Sequence, residues 1–330
     1  MRVLVTGAGA LLGQGIIRAL RASALKPTVI AVDPSPLAAG LYWAESSHLV
    51  PTAAAPDYLE RLGEVLRKEE PDAVLVGTDV ELPLLAAHRE EIEEEFRTRV
   101  VVSRPEVVAI ANDKWLTYQF LKDNGFDHPR SCLPGHEAGL IDEVGFPLLV
   151  KPRVGARSVG VCVVQNRVDL QRALEEQPAA IVQECVGTAA DEYTAGALSF
   201  DGRCVASIVM RRELRDGNTY RAWVDHYPEL NRVVRALADR LRPDGPANIQ
   251  FRLDNGRVRV FEINARFSGT TPLRGLAGFN EVELVLRRLL LGETVAQPEV
   301  RPLIILRHWS ETVVEPSELL APTEAQLATP

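Results

Sequence analysis

The sequence predicts an α/β fold in two parts, a parallel doubly wound sheet followed by a mixed α+β region. Three observations predict it. Residues 1–104 alternate short apolar runs of strand type with amphipathic helical runs. From about residue 105 the pattern changes to helix and then to strands joined by glycine-bearing turns. The chain has 330 residues and is 46% hydrophobic, which is enough for two or three packed units.

The first part is predicted to alternate four strands with three helices. The strands lie at residues 2–7, 28–33, 72–78 and 99–103, in runs such as "TVIAVD" and "DAVLVGT". The helices lie at residues 11–23, 56–70 and 81–96, where apolar residues recur at helical spacing. Short connections between alternating strands and helices favour parallel pairing, with helices covering the sheet.

The second part is predicted to begin with one helix over residues 104–125. A strand, a glycine-bearing loop and a second strand follow at residues 146–166, then a helix at 168–176 and a strand at 180–186. Residues 247–267, "ANIQFRLDNGRVRVFEINARF", are typical of a hairpin that turns at Asp254, Asn255 and Gly256. The Pro- and Ala-rich tail after about residue 315 is expected to be peripheral.

Composition narrows the class of protein. The formal net charge is −8 and no run of Lys or Arg occurs, which argues against a broad nucleic-acid or anionic-membrane surface. The four cysteines form no CxxC pair, so we expect reduced thiols and a cytoplasmic location. No signal peptide and no apolar run of membrane-spanning length is visible.

The hairpin carries the most informative polar residues. On "FEINAR" the strand period of two places Glu262, Asn264 and Arg266 on one face, and Gln250 of the preceding strand can project onto the same surface. Carboxylate and amide oxygens suit Mg²⁺, and a guanidinium suits phosphate oxygens. The alternative is a solvated strand face beside a turn.

Two other segments are candidates for phosphate and nucleotide contacts. Lys151 ends an apolar strand, and the loop with Gly155, Ser158 and Gly160 can close over phosphates through backbone N–H groups, although it is not a Walker A loop. The strand "IVQECV" can offer backbone hydrogen bonds to an adenine edge, and Glu192 could accept from ribose hydroxyls. An ordinary hairpin turn and a surface charge are the alternatives.

The order of these segments resembles the ATP-grasp superfamily, in particular the carbamoyl-phosphate synthase large subunit. The similarity rests on "NDK", "LLVKP" with its glycine loop, "VQECVG…DEYT" and "NIQF…FEINAR", over roughly residues 105–295. Residues 1–104 resemble the Rossmann-like pre-ATP-grasp domain. The resemblance implies a small lobe with a linking helix at 105–186 and a C-terminal lobe with the metal site and the tail at 187–330.

The resemblance also implies residue roles. Lys114 and Lys151 would contact ATP phosphates under a cover formed by the loop from Gly155 to Gly160. Adenine would lie on the segment from Glu184 to Val186, with Glu192 on the ribose. Mg²⁺ or Mn²⁺ would be held by Gln250, Glu262 and Asn264, and Arg266 would face the transferred phosphoryl group. Two departures from the family pattern are Arg157 in the loop and Gln250 at a position that is often acidic.

The implied reaction is phosphorylation of a carboxylate by ATP, followed by attack of an amine on the acyl phosphate. The partners are then a small carboxylate and an amine, and a homodimer is plausible for the fold. Candidate substrate contacts are Asp79, Glu81, Arg211 and Arg274; the alternatives are a helix cap for the first two and paired surface charge for the arginines.

Two other functions stay open at this point. The opening turn has Gly7, Gly9 and Gly13 with Asp33 at the end of the next strand, which would suit an NAD-dependent oxidoreductase, although the spacing is one residue longer than GxGxxG. Tight packing at a strand-to-helix turn explains the same glycines. The other alternative is a nucleotide-binding protein without turnover.

Overall fold

The computed structural model describes residues 1–155 and 159–321, and within them the chain forms three sheets. The first sheet is parallel, with strand order β3-β2-β1-β4-β5. Its strands are β1 (Arg2–Val5), β2 (Thr28–Asp33), β3 (Ser46–Leu49), β4 (Ala73–Leu75) and β5 (Arg99–Val101). Its helices are α1 (Leu11–Arg21), α2 (Tyr58–Glu69), α3 (Leu82–Ala87) and α4 (Arg89–Phe96).

Strand alternation divides the core of this sheet into two layers. Val3 and Val5 of β1 pack with α1, whereas Leu4 faces the opposite layer with Tyr58 and Leu62 of α2. The predicted parallel sheet with helices on both faces is confirmed. The edge strand β3 was not predicted, because "SSHL" has neither an apolar run nor apolar alternation.

The second sheet is antiparallel, with order β6-β9-β7-β8. Its strands are β6 (Ser131–Cys132), β7 (Leu148–Pro152), β8 (Cys162–Val164) and β9 (Ala180–Glu184), and it packs on α7 (Glu137–Val144) and α8 (Arg167–Glu176). The predicted strand–loop–strand is present as β7 and β8. The segment expected to be one helix over residues 104–125 forms two, α5 (Pro105–Asn112) and α6 (Lys114–Asp123). The chain turns at Asp113, whose side chain caps α6.

The third sheet is antiparallel, with order β14-β13-β10-β11-β12-β15. Its strands are β10 (Glu192–Phe200), β11 (Arg203–Arg215), β12 (Asn218–Val224), β13 (Gly245–Asp254), β14 (Arg257–Asn264) and β15 (Leu303–Leu306). The remaining helices are α9 (Pro228–Leu241), α10 (Thr271–Leu276) and α11 (Glu281–Leu291). The predicted hairpin is β13 and β14, which turn through Asn255 and Gly256 at positive φ.

One hydrophobic cluster joins the first and third sheets. Ile16 of α1 shares it with Ile208 of β11 and Val285 of α11. Packing between these sheets brings the loops after β1 and β4 over the open face of the third sheet. The described part of the tail ends beside Tyr42, with Leu320 partly buried on the same cluster. No helix among the described residues is both long and apolar enough to cross a membrane.

Candidate active site

Three cavities meet at one side chain of the third sheet. The first, of about 300 Å³, lies between the second and third sheets, and the second, of about 440 Å³, lies between the third sheet and the loops after β1 and β4. A third cavity of about 300 Å³ lies beside α5 and Lys114. Glu262 lines all three, and Gln250 and Arg212 line the first two. Glu262 therefore stands where two ligands in adjoining cavities would meet.

Glu262 is the centre of a row of polar side chains on the hairpin. Register places Gln250 of β13 opposite Glu262 of β14, and Asn264 follows on the same face. Gln250 Nε2 and Asn264 Nδ2 both donate to Glu262 Oε1, each at 3.0 Å. The structure thus places Gln250 against Glu262 and Asn264, which the strand period had placed on one face.

Arg266 continues the row and connects it to the first sheet. Its Nε donates to Asp79 Oδ1 at 2.7 Å and its Nη2 to Asp79 Oδ2 at 3.2 Å. Nη2 also donates to Asn264 Oδ1 at 3.0 Å, and Nη1 donates to the carbonyl of Phe267 at 2.8 Å. Asp79 lies in the loop after β4 and lines the second cavity. The guanidinium of Arg266 is therefore held from both sides before any ligand binds.

Arg212 belongs to the same run of arginines as the predicted substrate contact Arg211. It lines the first and second cavities, and its Nη2 donates to Gln250 Oε1 at 2.6 Å. The neighbouring candidate, Arg211, points to the opposite face of β11, where it stacks 3.9 Å from the ring centroid of Trp223. Arg212 and not Arg211 therefore lines these cavities, since alternate strand residues face opposite sides, and the substrate role of Arg211 stays a prediction.

Glu192 has an environment different from the expected ribose contact. Its carboxylate is buried and lines the first cavity. Oε1 accepts from Arg212 at 2.8 and 3.1 Å, and Oε2 accepts from Arg252 at 2.8 and 3.0 Å. Both oxygens thus accept from guanidinium groups, which favours a role for Glu192 as an anchor for two arginines, while the ribose contact stays a prediction.

Lys151 is a buried cation at the wall of the first cavity. Its Nζ donates to Gln183 Oε1 at 2.8 Å, and Gln183 Nε2 donates to Ser131 Oγ at 2.8 Å. Burial lowers the pKa of Lys151 to about 8, although the negative charge of Glu262 opposes that shift. An anion in the cavity would further favour the charged form of Lys151.

Lys114 reaches the same cavity from the start of α6. Asp113 accepts from the backbone N–H groups of Trp115 and Leu116 and is paired with Arg153, which ties the helix to the chain after β7. Lys114 Nζ donates to the carbonyl of Gly155 at 2.8 Å. Burial raises the pKa of Asp113, but its hydrogen bonds, the strongest from Arg153, hold that pKa below its usual value.

The rest of the expected nucleotide segment borders the first cavity. Glu184, Cys185 and Val186 line it at the end of β9, and Glu184 Oε2 accepts from Arg259 at 2.6 Å. Gly155 lines it from the loop, and Gly160 lies at a positive φ between two lining residues. The predicted phosphate contact Ser158 lies outside the described residues.

Two substrate candidates, Glu81 and Arg274, are buried among protein side chains, and their substrate roles stay predictions. Glu81 accepts hydrogen bonds from the hydroxyl groups of Thr6 and Tyr58, each at 2.7 Å, and from that of Thr78. Burial raises the pKa of its carboxyl. Arg274 is fully buried, pairs with Glu281 at 3.0 Å and donates to Asn248. Neither belongs to the described residues that line the three cavities.

The opening turn is explained by packing. Gly7 has a φ of +56°, and a Cβ at Gly13 would lie 2.1 Å from the carbonyl oxygen of Gly7. Asp33 accepts from the backbone N–H groups of Gly9 at 2.7 Å and Ser35 at 2.9 Å, so its carboxylate is already used within the turn. The turn borders the second cavity through the start of α1.

The donor set around Glu262 fits Mg²⁺ only together with phosphate oxygens. Within residues 1–155 and 159–321, no three His, Cys, Asp or Glu side chains cluster as a metal site. Glu262 supplies one carboxylate, flanked by the amide groups of Gln250 and Asn264. Mg²⁺ is commonly bound by one or two carboxylates plus substrate phosphates and water, and this arrangement matches that pattern.

Comparison with known proteins supports the fold and identifies two domains. A family described as "PylC-like, N-terminal domain" matches residues 3–100, and one described as "ATP-grasp in the biosynthetic pathway with Ter operon" matches residues 176–312. The chain therefore has an ATP-grasp domain, which follows a PylC-like N-terminal domain. The predicted resemblance is confirmed.

Curated relatives of this ATP-grasp protein include carbamoyl phosphate synthase large chains. The chain from Haemophilus ducreyi is 23% identical over 339 residues, which cover 94% of this chain and 31% of the relative. The chain from Methanosarcina acetivorans is 23% identical, with coverage of 90% and 30%. This chain therefore spans less than a third of the length of those relatives.

Solved structures share the fold over most of the chain. N5-carboxyaminoimidazole synthetase from Staphylococcus aureus, complexed with ADP, has a TM-score of 0.72 at 17% identity, covering 92% of this chain and 81% of that one. The biotin carboxylase domain dimer of Hydrogenobacter thermophilus 2-oxoglutarate carboxylase, with MgADP and bicarbonate, has a TM-score of 0.71 at 17% identity, covering 91% and 72%. An L-amino acid ligase from Bacillus licheniformis has a TM-score of 0.68 at 18% identity, covering 91% and 77%.

Proposed function

We propose that this ATP-grasp protein is an ATP-dependent ligase that phosphorylates a small carboxylate and joins the product to an amine. The observation that carries the proposal is the position of Glu262 at the junction of the cavities, with Lys151 on one side and Arg266 on the other. ATP would occupy the first cavity and the acid would occupy the second. The two ligands would then meet at the hairpin row.

The residues present suit phosphoryl transfer. Lys114 and Lys151 supply positive charge for the phosphates, and the strand segment from Glu184 to Val186 borders the space expected for the base. Gln250, Glu262 and Asn264 would hold Mg²⁺, which neutralises phosphate charge when bound. Arg266 is oriented by Asp79 and Asn264, and Arg212 by Glu192 and Gln250, so both guanidinium groups are fixed before the reaction.

The proposed chemistry has two balanced steps. A carboxylate oxygen of the acid attacks the γ-phosphorus of ATP, the bond to the β-phosphate oxygen breaks, and ADP leaves. The amine nitrogen then attacks the carbonyl carbon of the acyl phosphate, phosphate leaves, and the nitrogen loses a proton. No protein nucleophile takes part, so the residues contribute by positioning and charge stabilisation.

Location and assembly are part of the same proposal. Four free thiols are consistent with a cytoplasmic enzyme. A homodimer is supported by the description of the biotin carboxylase neighbour as a domain dimer. Sedimentation at several protein concentrations would test the dimer.

ADP and phosphate release with MgATP tests the ligase. Pools of amino acids and small carboxylic acids are supplied with and without amines, and release should depend on one acid. Glu262→Gln and Arg266→Ala should each lower the rate about 10²–10³-fold while the protein stays folded. Glu213→Gln is the matched control, because that carboxylate lies on β11 and pairs with Arg221 at 3.1 Å, away from the cavities.

The outcomes separate the alternatives. Unchanged rates in both variants would contradict the site. ATP binding without acid-dependent ADP release in any pool would favour a nucleotide-binding protein without turnover. NAD binding without ATP binding would contradict the proposal altogether.

A further inference from the structure

Arg307 lies in the wall of the second cavity. It follows directly on β15, the edge strand of the third sheet. Its Nη1 donates to the carbonyl of Thr219 at 3.1 Å, and its Nη2 donates to the carbonyl of Gly269. These two carbonyl groups fix the guanidinium on the cavity wall without neutralising it.

Arg307 differs from the other arginines of this cavity in its charge balance. Arg266 is paired with Asp79, and Arg212 is paired with Glu192. No carboxylate among the described residues lies within 4 Å of the guanidinium of Arg307, whose described hydrogen bonds go to backbone carbonyls. A partly buried cation without a counter-ion is unfavourable until an anion reaches it.

The electrostatic surroundings of Arg307 support the same conclusion. Burial and the positive charge of Arg18 both lower its pKa, which means that the charged form is unfavourable in the empty cavity. A guanidinium nevertheless keeps its proton in proteins. The cavity wall is therefore prepared for an anionic group that this chain does not provide.

The position of Arg307 also separates it from the reacting end. Gln250, Glu262 and Arg212 are shared between the first and second cavities, so the transferred phosphoryl group must pass beside them. Arg307 belongs to the second cavity and is absent from the described lining of the first. An anion on Arg307 is thus held away from the place where a carboxylate would be phosphorylated.

We propose that Arg307 binds a second anionic group of the acid substrate, so that the acid accepted by the second cavity is at least a dianion. The inference rests on the proposed ligase function and adds the substrate class to it. One carboxylate reacts beside Glu262, and the other anionic group, a carboxylate or a phosphate, is paired with Arg307. Such a pairing would both orient the acid and select against monocarboxylates.

The test uses straight-chain dicarboxylates, the matching monocarboxylates and phosphate-bearing acids such as phosphoglycolate. For the best acid, Arg307→Gln should raise KM about 10–100-fold and leave the KM for MgATP within about twofold. Arg307→Lys should retain part of the affinity, because the charge remains. Arg301→Gln is the matched control, since Arg301 donates to Leu276 outside the cavity.

Removing the second anionic group from the acid should make the Arg307→Gln change nearly silent, as expected for two groups that interact with each other. An unchanged KM for a dianionic acid in Arg307→Gln, or equal kcat/KM for mono- and dianionic acids in the wild type, would overturn the proposal. Dicarboxylates and phosphate-bearing acids in separate arms identify the anion.

Failure of the ligase can be told from failure of this site. If no acid supports ADP release, calorimetric titration with the same dicarboxylates measures binding alone. Binding to the wild type that is lost in Arg307→Gln would keep the anion site without the ligase. Absence of binding in the wild type would overturn both.

Discussion

Glu192→Gln separates a structural anchor from a ribose contact. The substitution keeps the shape of the side chain and removes the charge that four N–H groups of Arg212 and Arg252 now share. The side chain of Glu192 is 5% exposed, that of Arg212 is 9% and that of Arg252 is 28%. Breaking a buried ion pair from one side costs about 3–5 kcal/mol, and the partial exposure of Arg252 places this case near about 3 kcal/mol.

Chemical denaturation followed by fluorescence measures this change, with Glu213→Gln as control. The control removes an exposed pair and should change the free energy of unfolding by about 0–1 kcal/mol. ATP and 2′-deoxy-ATP binding is measured in parallel. An anchor predicts lost stability with an unchanged preference between the two nucleotides. Wild-type stability together with a lost preference for ATP over 2′-deoxy-ATP would refute the anchor and restore the ribose contact.

Three further changes follow from the described contacts. ATP affinity should fall as the pH rises through about 8, because Lys151 then loses the proton whose charge attracts phosphate. Phosphate groups, with a second pKa of about 6, no longer titrate in that range. Titration calorimetry should show weaker and pH-independent ATP binding in Lys151→Met, and pH-independent binding by the wild type would contradict this prediction. Arg274→Met should lower the free energy of unfolding by about 3–5 kcal/mol, because it leaves Glu281 buried and unpaired. The surface control Arg288→Met should lower it by only about 0–1 kcal/mol, and equal effects of the two changes would contradict this prediction. Gly13→Ala should lower the free energy of unfolding by about 1–3 kcal/mol, because the new Cβ would meet the Gly7 carbonyl. Gly139→Ala in α7 has open space around it and should leave that free energy unchanged or raise it. A larger loss of stability in Gly139→Ala than in Gly13→Ala would contradict the packing explanation.

Local periodicity accounts for what the sequence predicted well. The shared face of Glu262 and Asn264 was predictable from the strand period. The Rossmann-like alternation of residues 1–104 was predictable for the same reason, since apolar runs of strand and helix type differ in period. The position of Gln250 opposite Glu262 also depends on a register shift between Gln250 and Phe251, because the register next to the turn would otherwise place Gln250 opposite Phe261. The domain bounds at residues 104 and 186 stay predictions.

Strand phase was the first thing that local pattern could not supply. Residues 206–210 of β11 are buried without alternation, so the sequence does not indicate which of Arg211 and Arg212 faces the cavity. The pairing of Arg212 with Gln250, 38 residues away, decides it. Arg212 shares a face of the sheet with Glu192 and Gln250, but this follows only from the register of β10 with β11 and β13, which the sequence does not give.

The long-range partners of buried side chains were the second feature that the local sequence pattern could not supply. Glu81 accepts from Thr6, 75 residues earlier, and Arg274 donates to Asn248, 26 residues earlier. Nothing near either residue in the chain distinguishes a buried network from a ligand contact, because both use the same charged side chains. Arg307 differs from these two residues, because its described hydrogen bonds go to backbone carbonyls and no described carboxylate pairs with it. That missing counter-ion, which only the structure shows, is what suggests a ligand contact.

Arg266 and Arg212 are each paired with a carboxylate, and this pairing has a consequence for how the site works. Each guanidinium already carries a carboxylate, Asp79 or Glu192, so its orientation is set before a phosphate enters and little reorganisation is needed when charge moves. The same carboxylates weaken the field that attracts anions, so in the proposed site we expect affinity for ATP to come mainly from Lys114 and Lys151, which line the first cavity. The proposal thus assigns orientation of the phosphoryl group and binding of the nucleotide to different cations. Because Asp79 comes from the first sheet, that orientation also depends on the packing of the first sheet against the third.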